Sequence, residues 1–312
     1  MTFAQGARSR LTIAPETTFG VTTTPVVAKT LPFRSHSVNL TKERVQGSDI
    51  LSDRQQFVDR HGNRAVGGSI EVDLRRGDYD RLLESAFFNT FNVSNQLLIG
   101  TTPQFFTLED GALDITQFRR FTGCMVSTAT FNLAPNQMVQ TTFDIVGRDM
   151  VQAAVSHDST PDAPSNYQPF GSFEGTLLEG GVTTNSELCI VSALQFSISN
   201  DVSPAHVILC DDNASRAAQM QFGMATIEGT MTVYYKDAAL INKFLNETES
   251  SLSVTVDSPS GADDYTFYFP RIKYNGASVP VANMQSRMIE LPFVALRDSV
   301  TGYALRLTRP AP

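Results

Sequence analysis

Two carboxylates two positions apart, Glu71 and Asp73, are the clearest candidates in this sequence for general acid–base chemistry. On a strand, residues i and i+2 share one face, so these side chains would stand next to each other. Acid–base work also needs a histidine, a metal or an environment that separates the two pKa values. The run Gly68-Ser69-Ile70-Glu71-Val72-Asp73-Leu74 supplies none of these and alternates polar with apolar, so it reads as the polar face of a half-buried strand. Asp53, Asp211, Asp212 and Asn213 carry the hard oxygens that a divalent cation takes. An EF-hand would add a turn glycine and a terminal glutamate. Both are missing, and the aspartates read as solvated loop carboxylates.

His36, His61, His157 and His206 are isolated from one another and from any metal-ligand pattern. Cys124, Cys189 and Cys210 are odd in number and widely spaced, which suggests neither a zinc site nor a disulfide framework but free thiols formed in a reducing cytoplasm. Gly67-Gly68 leads into a strand rather than a helix, so it is no phosphate cradle. No nucleophile elbow, P-loop or dinucleotide fingerprint occurs. No enzyme, metal or cofactor follows from these residues.

The elements that carry them point to a β protein. The chain has 312 residues, enough for two domains, with 41% hydrophobic and 18% charged residues, a composition too apolar for disorder. Phe dominates the aromatics and Thr, Ser and Val are abundant, a mixture that favours pleated surfaces over helices. The net charge of −8 and the lack of a basic stripe argue against tight binding to phosphates. Such a surface still suits a protein that lets DNA pass without holding it. Met1 to Arg10 has no apolar signal core, and runs such as Leu97-Leu98-Ile99 are too short to cross a bilayer, so neither secretion nor membrane insertion is expected.

A stretch rich in Pro, Ser and Asp, His157 to Pro169, reads as a linker. It divides the chain into a first domain with an N-terminal arm (1–157), a linker (158–169) and a second domain (170–312). The halves repeat one pattern. Val38-Asn39-Leu40 recurs as Phe196-Ser197-Ile198, an offset of 158 (38 to 196), and Gly68 to Leu74 recurs as Gly229 to Tyr235, an offset of 161 (68 to 229). Each strand then leads to a short helix. Asp78 stands where it could cap the helix through Tyr79, Leu82, Leu83 and Ala86, and Asp237 precedes Leu240, Ile241, Phe244 and Leu245. Both halves close on paired strands, around Ala134-Pro135-Asn136 and around Pro280 to Asn283, ending in Arg148-Asp149 and Arg297-Asp298. Between the first two strands, Thr41 to Val66 is polar and reads as a long loop that orders on a neighbour.

Several of these segments resemble the siphophage tail tube proteins. The likeness rests on Pro15-Glu16-Thr17-Thr18-Phe19-Gly20 through Pro25, Ser48-Asp49-Ile50-Leu51-Ser52-Asp53-Arg54-Gln55, Gly67 to Leu74, Gly77 to Leu83, and Phe293-Val294-Ala295-Leu296-Arg297-Asp298 through Leu307. It covers most of the first half and the far C-terminal part. The resemblance implies a mainly β (α+β) fold of two tandem β-sandwich or barrel domains, each with one flanking helix, akin to contractile-tail and type VI secretion tubes. It also implies a structural virion protein, made in the bacterial host cytoplasm, that stacks as rings into a tail tube for DNA ejection. Three duplicated chains would then supply the six domains of a ring, where the commoner pattern is a hexamer of single domains.

The expected partners are further copies of the chain, a tape measure protein, a tail terminator and passing double-stranded DNA that is not tightly bound. Glu71, Asp73, Thr230 and Thr232 are expected to face the channel, and Asp53, Arg54, Arg60, Asp211 and Asp212 to meet the next ring. The helices Asp78 to Phe87 and Asp237 to Asn246 would lie outside. Alternative readings are another ring-forming component, such as a tail terminator or Hcp-like protein, and a β-rich adhesin or binding module, although no Trp is present to serve as a sugar platform.

Overall fold

The computed structural model describes residues 3–50, 52, 55–181, 184–187, 190–208, 215–259, 264–281, 284 and 286–310. The first half holds β1 (Ser9–Pro15), β2 (Lys29–Leu31), β3 (Ser35–His36), β4 (Asn39–Gln46), β5 (Asp59–Asp73), α1 (Asp80–Phe87), β6 (Gln96–Leu98), β7 (Phe106–Ala112), β8 (Gln117–Leu133), β9 (Gln140–Gly147) and β10 (Asp149–Ala153). The second half holds β11 (Gly171–Gly181), β12 (Thr184–Glu187), β13 (Val191–Ser199), β14 (Ser203–His206), β15 (Ala217–Gln221), β16 (Thr226–Tyr234), α2 (Ala239–Leu245), β17 (Ser250–Asp257), β18 (Tyr265–Tyr274), β19 (Met288–Ala295) and β20 (Arg306–Thr308). The protein is mainly β, and its named strands pair antiparallel.

Strand pairing follows one order twice. In the first half β4 pairs with β5, β5 with β9 and β9 with β8, while the start of β8 continues into β7, β1 and β10. In the second half β13 pairs with β16, β16 with β19 and β19 with β18, while β18 continues into β17, β11 and β20. The registers match too: Leu40 faces Val66 as Ile198 faces Ile227, and Gly68 faces Ile145 as Gly229 faces Phe293. That last pair corrects the motif match at the ends of the halves. Ile145 corresponds to Phe293, so Arg148 and Arg297 are one residue out of register.

The halves join through the sheet itself. The C-terminal part of β8 bonds to β13, with Thr130 opposite Ser197 and Phe131 opposite Phe196. β5, β9, β8, β13, β16 and β19 are therefore one continuous six-stranded run. Alternation gives this run two faces. On the inner face Ile70, Phe143, Ala129, Ile198 and Ile227 form one buried row. Phe131 and Phe196 stack 4.8 Å apart in the next. One core cluster spans both halves.

Three readings change in the structure. Thr41 to Val66 is no loop at its described ends. β4 and β5 run on as a hairpin arm in which almost every β4 residue is exposed, with Arg44 Nε donating to Asp59 Oδ2 at 2.8 Å. Asp78 does not cap α1, whose N-cap residue is Tyr79; its buried carboxylate accepts from the Ser165 backbone N–H (2.9 Å) and hydroxyl (3.0 Å) and pairs with Lys29 at 3.1 Å. The segment after His157 is pinned to the first half, because Asp162 exchanges backbone bonds with Ala28 and Thr30, and Phe170 bonds with Leu74 and Val139. The helices differ as well. α1 is enclosed, burying Leu82, Leu83, Ser85, Ala86 and Phe87 against strands that include β8 and β13, whereas α2 buries only Leu240.

Candidate functional site

The outer face of the six-stranded run is polar across β5, β9, β8, β13 and β16, and β19 adds Glu290 beside Pro292 and Val294. One row across it reads Glu71, Thr142, Thr130, Ser197, Glu228, and the next reads Asp73, Gln140, Asn132, Gln195, Thr230. Residues directly opposite on paired strands share a face, so these groups form one surface. A third row holds Ser69, Asp144, Thr128, Ser199 and Thr226. Thr232 lies beyond Thr230 on the same face, opposite Glu290. Small hydroxyl side chains dominate, and the charges are mostly carboxylates.

Few cations answer them. Arg34 lies 3.5 Å from Asp73, and Lys273 at the far end pairs with Glu247 at 2.7 Å. Glu71 accepts from the Ser35 hydroxyl at 2.8 Å. Partial burial pushes the Asp144 carboxyl above the usual aspartate range. A surface with this charge repels phosphate rather than gripping it. Glu71, Asp73, Thr230 and Thr232 thus lie on one face of the sheet. Among the described residues no three His, Cys, Asp or Glu side chains gather as metal ligands.

Of the residues expected in the loops, Arg60 lies exposed on the arm in β5, while Asp53, Arg54, Asp211 and Asp212 lie outside the described residues. The arm also exposes apolar side chains, Val45 (53%) and Phe57 (79%). Its counterpart in the second half, the hairpin of β14 and β15, rests instead on the first half. There the Arg64 N–H donates to Ser215 O at 2.7 Å, and Asp149 pairs with Arg64 (3.2 Å) and Arg216 (2.7 Å).

The two ends of the six-stranded run are unequal to its middle. The backbone ladders of β3 and β4 run to β5 alone among the described residues. Beyond β18, residues 275–281 bond to β19 only through the Asn275 N–H and the reciprocal Ser278–Glu290 pair. Sheet borders of this kind are adhesive unless covered.

One role was not visible in the sequence. Glu16, in the opening Pro15-Glu16-Thr17 motif, is buried and accepts from Thr107 Oγ1 (2.6 Å), Gly20 N (2.8 Å) and Gly123 N (2.9 Å). It folds the N-terminal turn onto β7 and β8, with Arg148 over the Phe19 ring at 5.5 Å. A buried carboxylate with three donors is structural. The only sequence sign was an acid between a proline and a turn glycine.

The sequence model of a family described as phage tail tube protein matches residues 6–295. No curated protein matches the chain.

Proposed function

The chain belongs to the phage tail tube protein family, structural proteins of the virion tail, and on that premise we propose that it polymerises as stacked rings into the tube of a long-tailed phage, a channel for DNA ejection. The observation that carries this reading is the six-stranded run. It has one apolar face turned to the core, one polar and acidic face turned to solvent, and an unsatisfied border at each end. A curved surface of this kind, closed on itself by further copies, gives a lumen lined with carboxylates and hydroxyls.

The recurring strand order supports tandem duplication, with domains 1–157 and 170–312. Three chains then give a ring with pseudo-sixfold symmetry. Glu71, Asp73, Thr230 and Thr232 line the channel in this arrangement. The arm, with Arg60 and the exposed Val45 and Phe57, reaches a copy in the neighbouring ring. A tape measure protein sets the tube's length and a tail terminator ends it.

Negative-stain electron microscopy of the purified protein tests the reading. Long tubes with an axial channel, threefold when averaged down the axis, are expected. Isolated rings that never stack would favour a tail terminator or Hcp-like role. A protein that stays monomeric under every assembly condition would overturn the tube.

A further inference from the structure

We propose that one chain joins the next by adding Ser37–Thr41 antiparallel to residues 276–280 of a second copy, with Asn39 opposite Ser278, repeating the seam that joins the two halves of a single chain. This rests on the ring-forming reading above and specifies its joint. At the internal seam, the outgoing strand is β8, bonded to β9, and the incoming strand is β13, bonded to β16. Each partner has a counterpart at an open border.

The register follows residue by residue. Thr130 faces Thr142, which faces Glu71; in the second half Ser278 faces Glu290, which faces Thr232. Ser278 therefore stands where Thr130 stands. On the incoming side Ser197 faces Glu228 as Asn39 faces Gly67, so Asn39 stands where Ser197 stands. Thr130 pairs with Ser197 inside the chain. The equivalent pair between chains is Ser278 with Asn39, and the flanking pairs are Ala277 with Leu40 and Val279 with Val38.

Burial points the same way. At the internal seam Ala129, Phe131 and Ile198 are completely buried. Their border counterparts Ala277, Val279 and Leu40 are apolar, packed on the core cluster on one side and only partly covered on the other. A second copy in this register covers all three. Pro280, which has no N–H to donate, ends the new ladder one residue beyond Val279. The polar residues fit as well. Asn39 and Ser278 extend the polar row of Glu290 and Thr232 across the joint.

The test uses full-length protein assembled into tubes. Two double variants, Asn39→Cys with Ser278→Cys and Leu40→Cys with Ala277→Cys, sample adjacent pairs, of which one has the closer spacing of a non-hydrogen-bonded site. After mild oxidation, at least one should run on non-reducing gels as covalent dimers and trimers, about tenfold above the single-cysteine variants, which control for the three native thiols. The off-register pair Thr41→Cys with Ser278→Cys should stay at the single-variant level. On the unmodified protein, hydrogen exchange in 37–41 and 276–279 should slow at least tenfold between monomer and tube.

Tubes that form without the in-register cross-link and without protection at either border would overturn this joint while leaving the tube intact. Off-register cross-linking equal to the in-register pairs would overturn the register. Failure of the wild-type chain to form any ring would instead remove the functional reading beneath it.

Discussion

Gly68 and Gly229 stand at the same crossing of two strands in the two halves: a Cβ on Gly68 would lie 2.6 Å from the Ser37 carbonyl, and one on Gly229 2.6 Å from the Gln195 carbonyl oxygen. Ser37 and Gln195 are themselves counterparts, 158 positions apart. The shared requirement is close approach of the incoming border strand to its neighbour. Gly68→Ala and Gly229→Ala should each lower stability by about 1–3 kcal/mol through overpacking. Gly68 should suffer more, since its φ of +145° is one that side-chain-bearing residues rarely adopt. Urea unfolding of the monomer measures both. Wild-type stability in either variant would mean that the crossing has slack.

Glu179 holds the small helix of the second half in place. Its carboxylate accepts from Lys243 Nζ (2.7 and 2.8 Å), Ser250 Oγ (2.7 Å) and Tyr274 OH (3.1 Å), tying α2 to β17 and β18. Burial, with this carboxylate beside it, pushes the Tyr274 phenol well above its ordinary range, so it stays a donor. Glu179→Ala strands a partly buried ammonium and two hydroxyls and should cost about 2–4 kcal/mol. Glu179→Gln should cost less, because it keeps an acceptor oxygen. Equal losses in the two variants would show that the negative charge, not an acceptor of the same shape, is what matters there.

How far the sequence revealed this architecture depended on whether a segment buries one face within its own chain. Ile70 and Val72 alternate with Glu71 and Asp73, and each side chain lies on the face that alternation assigned. β4 shows no such signal, since Thr41 to Gln46 are exposed throughout among the described residues, so the arm read as a loop. Asp78 misled because its partner, Ser165, lies 87 positions away, and a cap and a long-range anchor look alike in one dimension. The Thr130–Ser197 seam was invisible for the same reason, although the repeat that implies it was not.

His157 should make the fold acid-sensitive. It lies between Thr12 Oγ1, 3.3 Å from Nε2, and Glu109, 3.8 Å from Nδ1. Burial holds it below the ordinary histidine value of 6.5; Glu109 and Asp158 oppose that shift, and Arg120 and Arg10 add to it. The folded protein thus keeps the ring neutral where the unfolded chain would protonate it. Its contribution is complete above 6.5 and is lost as the pH falls below that value through the lower folded one. Urea midpoints at about pH 7.5 and 5.5 should differ more in the wild type than in His157→Gln. Identical slopes would assign the acid sensitivity elsewhere.

Arg60 separates folding from assembly. It is exposed on an arm whose side chains add little to the core, so Arg54→Glu with Arg60→Glu should leave monomer stability within about 0.5 kcal/mol. If the arm meets the next ring, reversed charge there should abolish stacking and leave rings or monomers in electron micrographs. Normal tubes from this variant would remove the arm's charges from the stacking contact.

The acidic face makes the sharpest claim about the channel. Glu71 and Glu228 occupy one row of the sheet, are exposed, and support no buried partner. Glu71→Lys with Glu228→Lys should therefore fold and assemble. In a ring of three chains the change places six ammonium groups on the wall where six carboxylates stood. DNA retention should then appear and fall steeply with salt, because each neutralised phosphate contributes a slope of about −0.9 in log affinity against log salt. Wild-type tubes should retain none at about 0.15 M salt, where the field of each charge reaches only ~8 Å. Sedimentation of tubes with short double-stranded DNA across a salt series reads both. If the lysine tubes retain no more DNA than the wild type, these residues do not face the passage and the polar surface lines something else.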